Sequence, residues 1–163
     1  MNVLIIGVGL IGGSFALALR DRGLAERIEG VEASEEHARR ALERGLVDRI
    51  VTLEEGLPSA DLIVLATPVY FYTMCAQMKT MIDRMLGGAQ TPGLENKEFY
   101  LIATAADGKA AMERTVDGLR GYLECLPGAK EMGVVYGAGV WKIGDVQKNA
   151  AFDEAYQIGQ NVF

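Results

Sequence analysis

Short apolar runs alternate along the chain with longer stretches in which apolar positions recur every three or four residues. The runs at residues 3–6, 28–31, 61–66, 99–103 and 134–136 have the length of strands. They are nearly continuous in hydrophobicity, as strands covered on both faces are. Between them, helical periodicity predicts helices over residues 11–22, 35–44, 74–86, 110–123 and 151–161, and residues 49–52 read as a short edge strand. Strands alternating with helices predict an α/β fold: a three-layer, doubly wound parallel sheet. If the run at 61–66 pairs with the run at 3–6, right-handed crossovers give the strand order 3-2-1-4-5-6.

Local punctuation supports these boundaries. Ser34 is placed to cap the second helix, Glu35 and Glu36 lie at its positive end, Arg39, Arg40 and Arg44 lie towards its negative end, and Gly45 can close it. The stretch GGAQTPGLEN, residues 87–96, has loop composition but is too short to separate domains. The 163 residues are therefore expected to form a single domain.

Composition narrows the function. A net charge of −6 offers no basic face for a phosphodiester backbone, so nucleic acid is not an expected partner. Residues 3–19 carry no charge, but Gly7, Gly9, Gly12 and Gly13 interrupt them and no basic segment precedes them, so neither a signal peptide nor a membrane span is expected. Cys75 and Cys125 are far apart and form no Cys-x-x-Cys pair, the usage of a reducing, cytoplasmic compartment, and the chain has no cysteine cluster for an iron-sulfur centre. No metal site is expected.

The candidate chemistry begins at GVGLIGG. Gly7, Gly9 and Gly12 satisfy G-x-G-x-x-G between a strand and a helix. Gly7 makes the sharp turn, Gly9 lets backbone approach a pyrophosphate, and Gly12 lets helix and strand pack closely, with Leu10 and Ile11 completing the anion-binding turn. Glu32 ends the second run, about 20 residues beyond the last glycine, where a carboxylate accepts bonds from a ribose and repels a 2′-phosphate. The pattern points to the ADP part of NAD rather than NADP.

From Asn2 to about Val69, the segments NVLIIGVGLIGGSFALALRDRG, GVEASEEHARRALERGLVD and DLIVLATPV resemble the nucleotide-binding half of prephenate and arogenate dehydrogenases. The resemblance implies a Rossmann-type half and NAD recognition. Those enzymes also carry a catalytic histidine in a GGHP-like segment and a helical dimerisation domain, which this sequence lacks. The single histidine, His37, reads as a solvated helix residue and no catalytic residue is assigned.

From Pro68 onward, PVYFYTMCAQMKTMIDR and the segments around NKEFYLIATAADGKAAMERTVDGLRGYLE and EAYQIGQNV resemble flavodoxin-like NAD(P)H-dependent FMN reductases and iron-sulfur flavoproteins. In that family two loops flank the isoalloxazine ring. Here they correspond to residues 67–73, with Thr67, Pro68, Val69, Tyr70, Phe71 and Tyr72, and to residues 104–108, with Ala105, Ala106 and Asp107. The aromatics suit either ring stacking or cover for a sheet edge. The family's hydroxyl-rich phosphate loop is replaced by GVGLIGGS, whose one hydroxyl is Ser14. Met74, Met78, Met81 and Met85 recur at helical spacing and read as core or a subunit interface.

The chain thus reads as a fusion of a Rossmann-derived half (1–69) and a flavodoxin-like half (70–163), made by recombination in nature or by engineering. Three functions follow as alternatives: a scaffold holding the ADP part of NAD without turnover, an FMN-dependent oxidoreductase, or a folded module without ligand. A monomer or homodimer is expected. A splice should also leave cavities or strain where the first helix meets the last, near Tyr156 and Val162.

Overall fold

A computed structural model describes residues 1–87, 93–142 and 144–162; residues 88–92, half of the glycine-rich segment expected to loop at 87–96, lie outside them. The strands are β1 (Asn2–Ile6), β2 (Arg27–Val31), β3 (Arg49–Ile50), β4 (Leu62–Tyr70), β5 (Thr73–Met74), β6 (Glu98–Thr104) and β7 (Lys130–Gly137). The helices are α1 (Leu10–Asp21), α2 (Glu35–Glu43), the single turn α3 (Leu53–Gly56), α4 (Ala76–Gly87), α5 (Lys109–Glu124) and α6 (Ala150–Gln160). The sheet runs β3-β2-β1-β4-β6-β7, parallel throughout. That is the expected order, renumbered because β5 pairs only with β4, antiparallel.

Register divides the core in two. Val3 lies beside Ile28 and Leu62, and Ile6 beside Val31 and Leu65. Because side chains alternate between faces, Leu4, Ile63, Leu65, Phe99 and Leu101 pack with α4 and α5, whereas Val3, Ile5, Leu62, Val64 and Ile102 pack with α1 and α6. Large side chains are fully buried in both layers, Phe99 in the first and Phe15 in the second.

The seam between the halves corrects one expectation. Helices α1 and α6 fit closely: a Cβ on Gly159 would lie 2.8 Å from both Ala18 Cβ and the Phe15 carbonyl oxygen. Buried Ser14 donates to the Phe152 carbonyl at 2.9 Å, and Tyr156 donates its hydroxyl to Asp21 at 2.7 Å. Small residues let the backbones approach around Gly159 and polar groups lock the register, so the strain expected near Tyr156 is replaced there by close packing; a cavity does open further along, between α1 and Phe152.

A second correction concerns residues 67–73. They are not an open loop. β4 continues to Tyr70 and folds back through a two-residue turn, so that Tyr70 faces Thr73 and Val69 faces Met74. Thr67 Oγ accepts from the Cys75 N–H at 3.1 Å and donates to the Pro68 carbonyl at 2.9 Å, pinning the base of the hairpin.

Candidate functional site

Between β1 and β4 the connections leave towards opposite faces of the sheet, β1 through α1 and β4 through α4. Such a switch point opens a crevice at the carboxyl ends of the strands. Here it has a volume of about 730 Å³, within the roughly 300–1,000 Å³ typical of small-molecule sites.

One wall is the glycine turn. Gly7 adopts φ +91° and donates its N–H to the Val31 carbonyl at 3.0 Å. A Cβ there would lie 2.4 Å from the Ala66 carbonyl oxygen, so the turn excludes any side chain. Gly12 packs α1 against β1, its absent Cβ 3.1 Å from the Gly7 carbonyl and 3.4 Å from Ile5. Gly9 is different: nothing lies within 4 Å of the place its Cβ would take, so its backbone is bare towards the crevice. Among the described residues the Leu10, Ile11 and Gly12 N–H groups have no acceptor, as in the first turn of any helix not capped by its own chain. Free N–H groups at a helix amino terminus can stabilise an anion.

Glu32 faces the same space from the end of β2. One carboxylate oxygen accepts the Val8 N–H at 3.1 Å and the other accepts the Ser34 N–H at 3.2 Å. These bonds fix the side chain between the glycine turn and α2 and leave lone pairs on both oxygens for further donors.

Thr67, Pro68 and Tyr70 form the opposite wall. The glycine turn, Glu32 and the base of the aromatic hairpin therefore border one crevice. Val69, Phe71 and Tyr72 do not line it: Val69 packs against the core, Phe71 is 97% exposed at the hairpin tip, and Tyr72 lies under the Arg114 guanidinium, 5.5 Å from the ring centre. The Thr67 hydroxyl is engaged within the hairpin base.

The 104–108 loop reaches the crevice only through Thr104. Ala105 is buried and donates its N–H to the Gly137 carbonyl, while its own carbonyl accepts from Val140. Ala106 is half-buried; Asp107 is exposed, its carbonyl accepting the Gly139 N–H and its carboxylate the Gly108 N–H. This loop braces residues 137–140 instead of bordering the ligand space.

Several crevice residues escaped the sequence reading. His37 is exposed in the first turn of α2, as expected, but it also lines the crevice near Glu32, its backbone N–H held by the Ser34 cap at 3.3 Å. The cap itself was the signal. Met78 and Met81 line the space as well as the core. Val140 and Val146 come from an irregular segment whose placement depends on long-range bonds, including Asn149 Nδ2 to the Ala138 carbonyl at 2.5 Å. No local pattern marks them. Among the described residues no three His, Cys, Asp or Glu side chains gather as metal ligands, and no helix is long and apolar enough to cross a membrane.

The relatives change along the chain. Over 69 residues the protein is 41% identical to a prephenate dehydrogenase from Bacillus subtilis, a match covering 42% of this chain and 19% of the relative. Over 50 residues it is 42% identical to an iron-sulfur flavoprotein from Archaeoglobus fulgidus, covering 31% of this chain and 23% of that one. The chain thus spans about a fifth of the length of the curated relatives it matches. Across its full length it shares the fold of the Trp repressor binding protein from Bacillus subtilis, with TM-score 0.62 and 18% identity over 100% of this chain and 97% of that one. The model of the NADPH-dependent FMN reductases matches residues 26–140, from β2 through β7. The chain belongs to the NADPH-dependent FMN reductase family, with a first strand, glycine turn and first helix that lie outside the matched residues and resemble a dehydrogenase instead.

Proposed function

We propose that the crevice binds NAD through its ADP part, with the pyrophosphate on the N–H groups of Leu10, Ile11 and Gly12 and the adenosine ribose on Glu32. The observation that carries this is the pairing of unclaimed helix-terminal donors with a fixed carboxylate one strand away, both open to the same space. Orphan N–H groups suit an anion, and a carboxylate with spare lone pairs suits two hydroxyls while repelling a 2′-phosphate. Tyr70 and Pro68 then border the far end of the dinucleotide. On this reading the protein is a cytoplasmic cofactor-binding scaffold, descended from recombination of two related halves by nature or design. No catalytic residue is assigned to it and turnover is not expected.

The test is calorimetric titration with NAD, NADP and FMN, repeated in Glu32→Ala. NAD should bind at least tenfold more tightly than NADP, and the variant should lose that preference while keeping its circular dichroism. Equal affinities, unchanged by the substitution, would refute the reading. Incubation with NADH and ferricyanide should give no turnover.

A second reading has one observation in its favour: the base of the aromatic hairpin, which lies inside the family match, borders the crevice through Thr67, Pro68 and Tyr70. The flat face of Tyr70 suits an isoalloxazine ring, which when bound would accept hydride from a reduced nicotinamide. The phosphate end fits less well, because the first loop's hydroxyl, Ser14, is committed to the Phe152 carbonyl. A purified sample that is yellow and releases flavin fluorescence on denaturation would favour FMN over NAD.

A further inference from the structure

A second cavity of about 620 Å³ lies on the other side of the α1 amino terminus, between α1, α2 and residues 140–142 and 144–152. It is separate from the crevice in character. Its floor is apolar, made by Leu10, Leu17, Leu46, Val146 and Phe152. Its rim carries His37, Arg40, Arg44 and Lys142, and among the described residues no carboxylate lines it. In a chain of net charge −6 such a one-signed lining is not the average surface.

The cations are also unequal. Arg40 is already paired with Glu36 at 2.5 Å. Arg44 and Lys142 have no ion pair among the described residues, and Asp145, the nearest acid in sequence to Lys142, is turned to the Trp141 and Lys142 backbone N–H groups at 3.0 and 2.7 Å. Arg44 comes from the end of α2 and Lys142 from the segment after β7, so the two free cations face the cavity from the two halves of the chain. A guanidinium fork and an ammonium above an apolar floor match one ligand chemistry: a small organic anion with an apolar body and a single carboxylate.

We infer that this cavity is a binding site for an aryl or alkyl carboxylate, held by Arg44 and Lys142 at its charged end and by Leu17, Leu46 and Phe152 along its body. The site does not depend on the dinucleotide reading. Gly9, Leu10, His37, Val140 and Val146 line both spaces, which therefore adjoin at the glycine turn; the carboxylate is placed on the side of Arg44, Lys142 and Phe152, which line this cavity and not the crevice.

The test is titration of the purified protein with 4-phenylbutyrate and octanoate against their neutral amides, followed by calorimetry. The carboxylates should bind saturably and at least tenfold more tightly than the amides. Arg44→Gln and Lys142→Gln, both at exposed positions, should each weaken the carboxylate several-fold and together abolish the preference, with unfolding midpoints unchanged. Leu17→Gln should weaken acid and amide alike. Glu32→Ala should leave carboxylate binding untouched, which separates failure here from failure at the crevice. Equal binding of acid and amide, no saturation, indifference to both cation substitutions, or displacement of the carboxylate by NAD would each overturn the inference.

Discussion

The two walls of the crevice solve the same backbone problem with opposite residues. At the glycine turn the chain reverses through φ +91° at Gly7, a residue with no Cβ to object. At the hairpin tip it reverses through Phe71 and Tyr72, at φ +50° and +65°, with two of the bulkiest side chains available. A two-residue hairpin with both central residues at positive φ ordinarily takes Asn-Gly or Asp-Gly. The first wall is what local preference would choose. The second is held in place against local preference by its surroundings: the Val69–Met74 and Tyr70–Thr73 pairing, the Thr67 bonds at its base, and Arg114 over Tyr72. Backbone strain that survives in a fold tends to sit at functional segments, and here the strained tip follows directly on Tyr70, the one ring of the three that lines the cofactor-sized space.

The comparison breaks most sharply at Gly7. Gly7→Ala places a methyl group 2.4 Å from a backbone oxygen that cannot move without displacing β4, in a conformation that disfavours alanine. The expected loss is about 4 kcal/mol of unfolding free energy. Urea unfolding followed by far-UV circular dichroism measures it, since Trp141 is 80% exposed and a poor fluorescence reporter. A loss under 1 kcal/mol would mean that the turn relaxes freely.

The hairpin should respond in the other direction. Replacing Phe71 and Tyr72 together by Asn and Gly keeps the turn and removes the steric cost, and should stabilise the protein by about 2 kcal/mol. The same variant should weaken any ligand whose ring rests on the hairpin. If the double variant is less stable than the parent, the aromatics contribute packing that their exposure does not reveal.

This contrast also explains what could be read from the sequence. The parallel order, the glycine turn, the Ser34 cap and Glu32 were legible because residue types there agree with the geometry they adopt. The hairpin was not, because Tyr-Phe-Tyr-Thr carries no turn signature and register with β4 overrules its preference. The 104–108 loop was assigned to the ligand by the resemblance to FMN reductases, but its backbone donors and acceptors are spent on residues 137–140, a partnership between segments that no periodicity encodes. The close fit of α1 to α6 was likewise invisible: Gly159 and Ala18 look unremarkable until the helices are brought together.

The walls differ again in what braces them. Carboxylates support the first half: Asp48 accepts the Ile28 N–H at 2.7 Å and the Arg20 guanidinium at 2.7 Å, tying the β3 approach to β2 and α1. Burial pushes the Asp48 carboxyl up, but the Ile28 N–H and Arg20 together outweigh it and hold it below the ordinary carboxylate range. A carboxyl lowered on folding contributes stability above its unfolded pKa and loses it as pH falls through the folded one. Asp48→Asn should therefore cost about 1 kcal/mol at neutral pH, the pair being partly exposed, and progressively less as the pH falls below about 3.9. Thr67→Val, which removes the hydroxyl that braces the hairpin, should cost about as much at neutral pH and show no such acid dependence. A matching pH profile for the two would erase the distinction.

The smallest effect on stability sharpens the comparison furthest. Gly9 lies two residues from Gly7, yet nothing occupies the space where its Cβ would be, and its φ of −87° is open to any residue. Gly9→Ala should cost only about 0.5 kcal/mol, the difference between glycine and alanine as a helix cap. If the turn exists to let a pyrophosphate approach the backbone, that methyl group stands in the ligand's path, and affinity for NAD should fall at least tenfold while the unfolding midpoint barely moves. A glycine required by the fold shows itself in stability, as Gly7 should; one required by a ligand shows itself only in binding. Were Gly9→Ala to leave NAD affinity intact, the glycine turn would be explained by chain geometry alone.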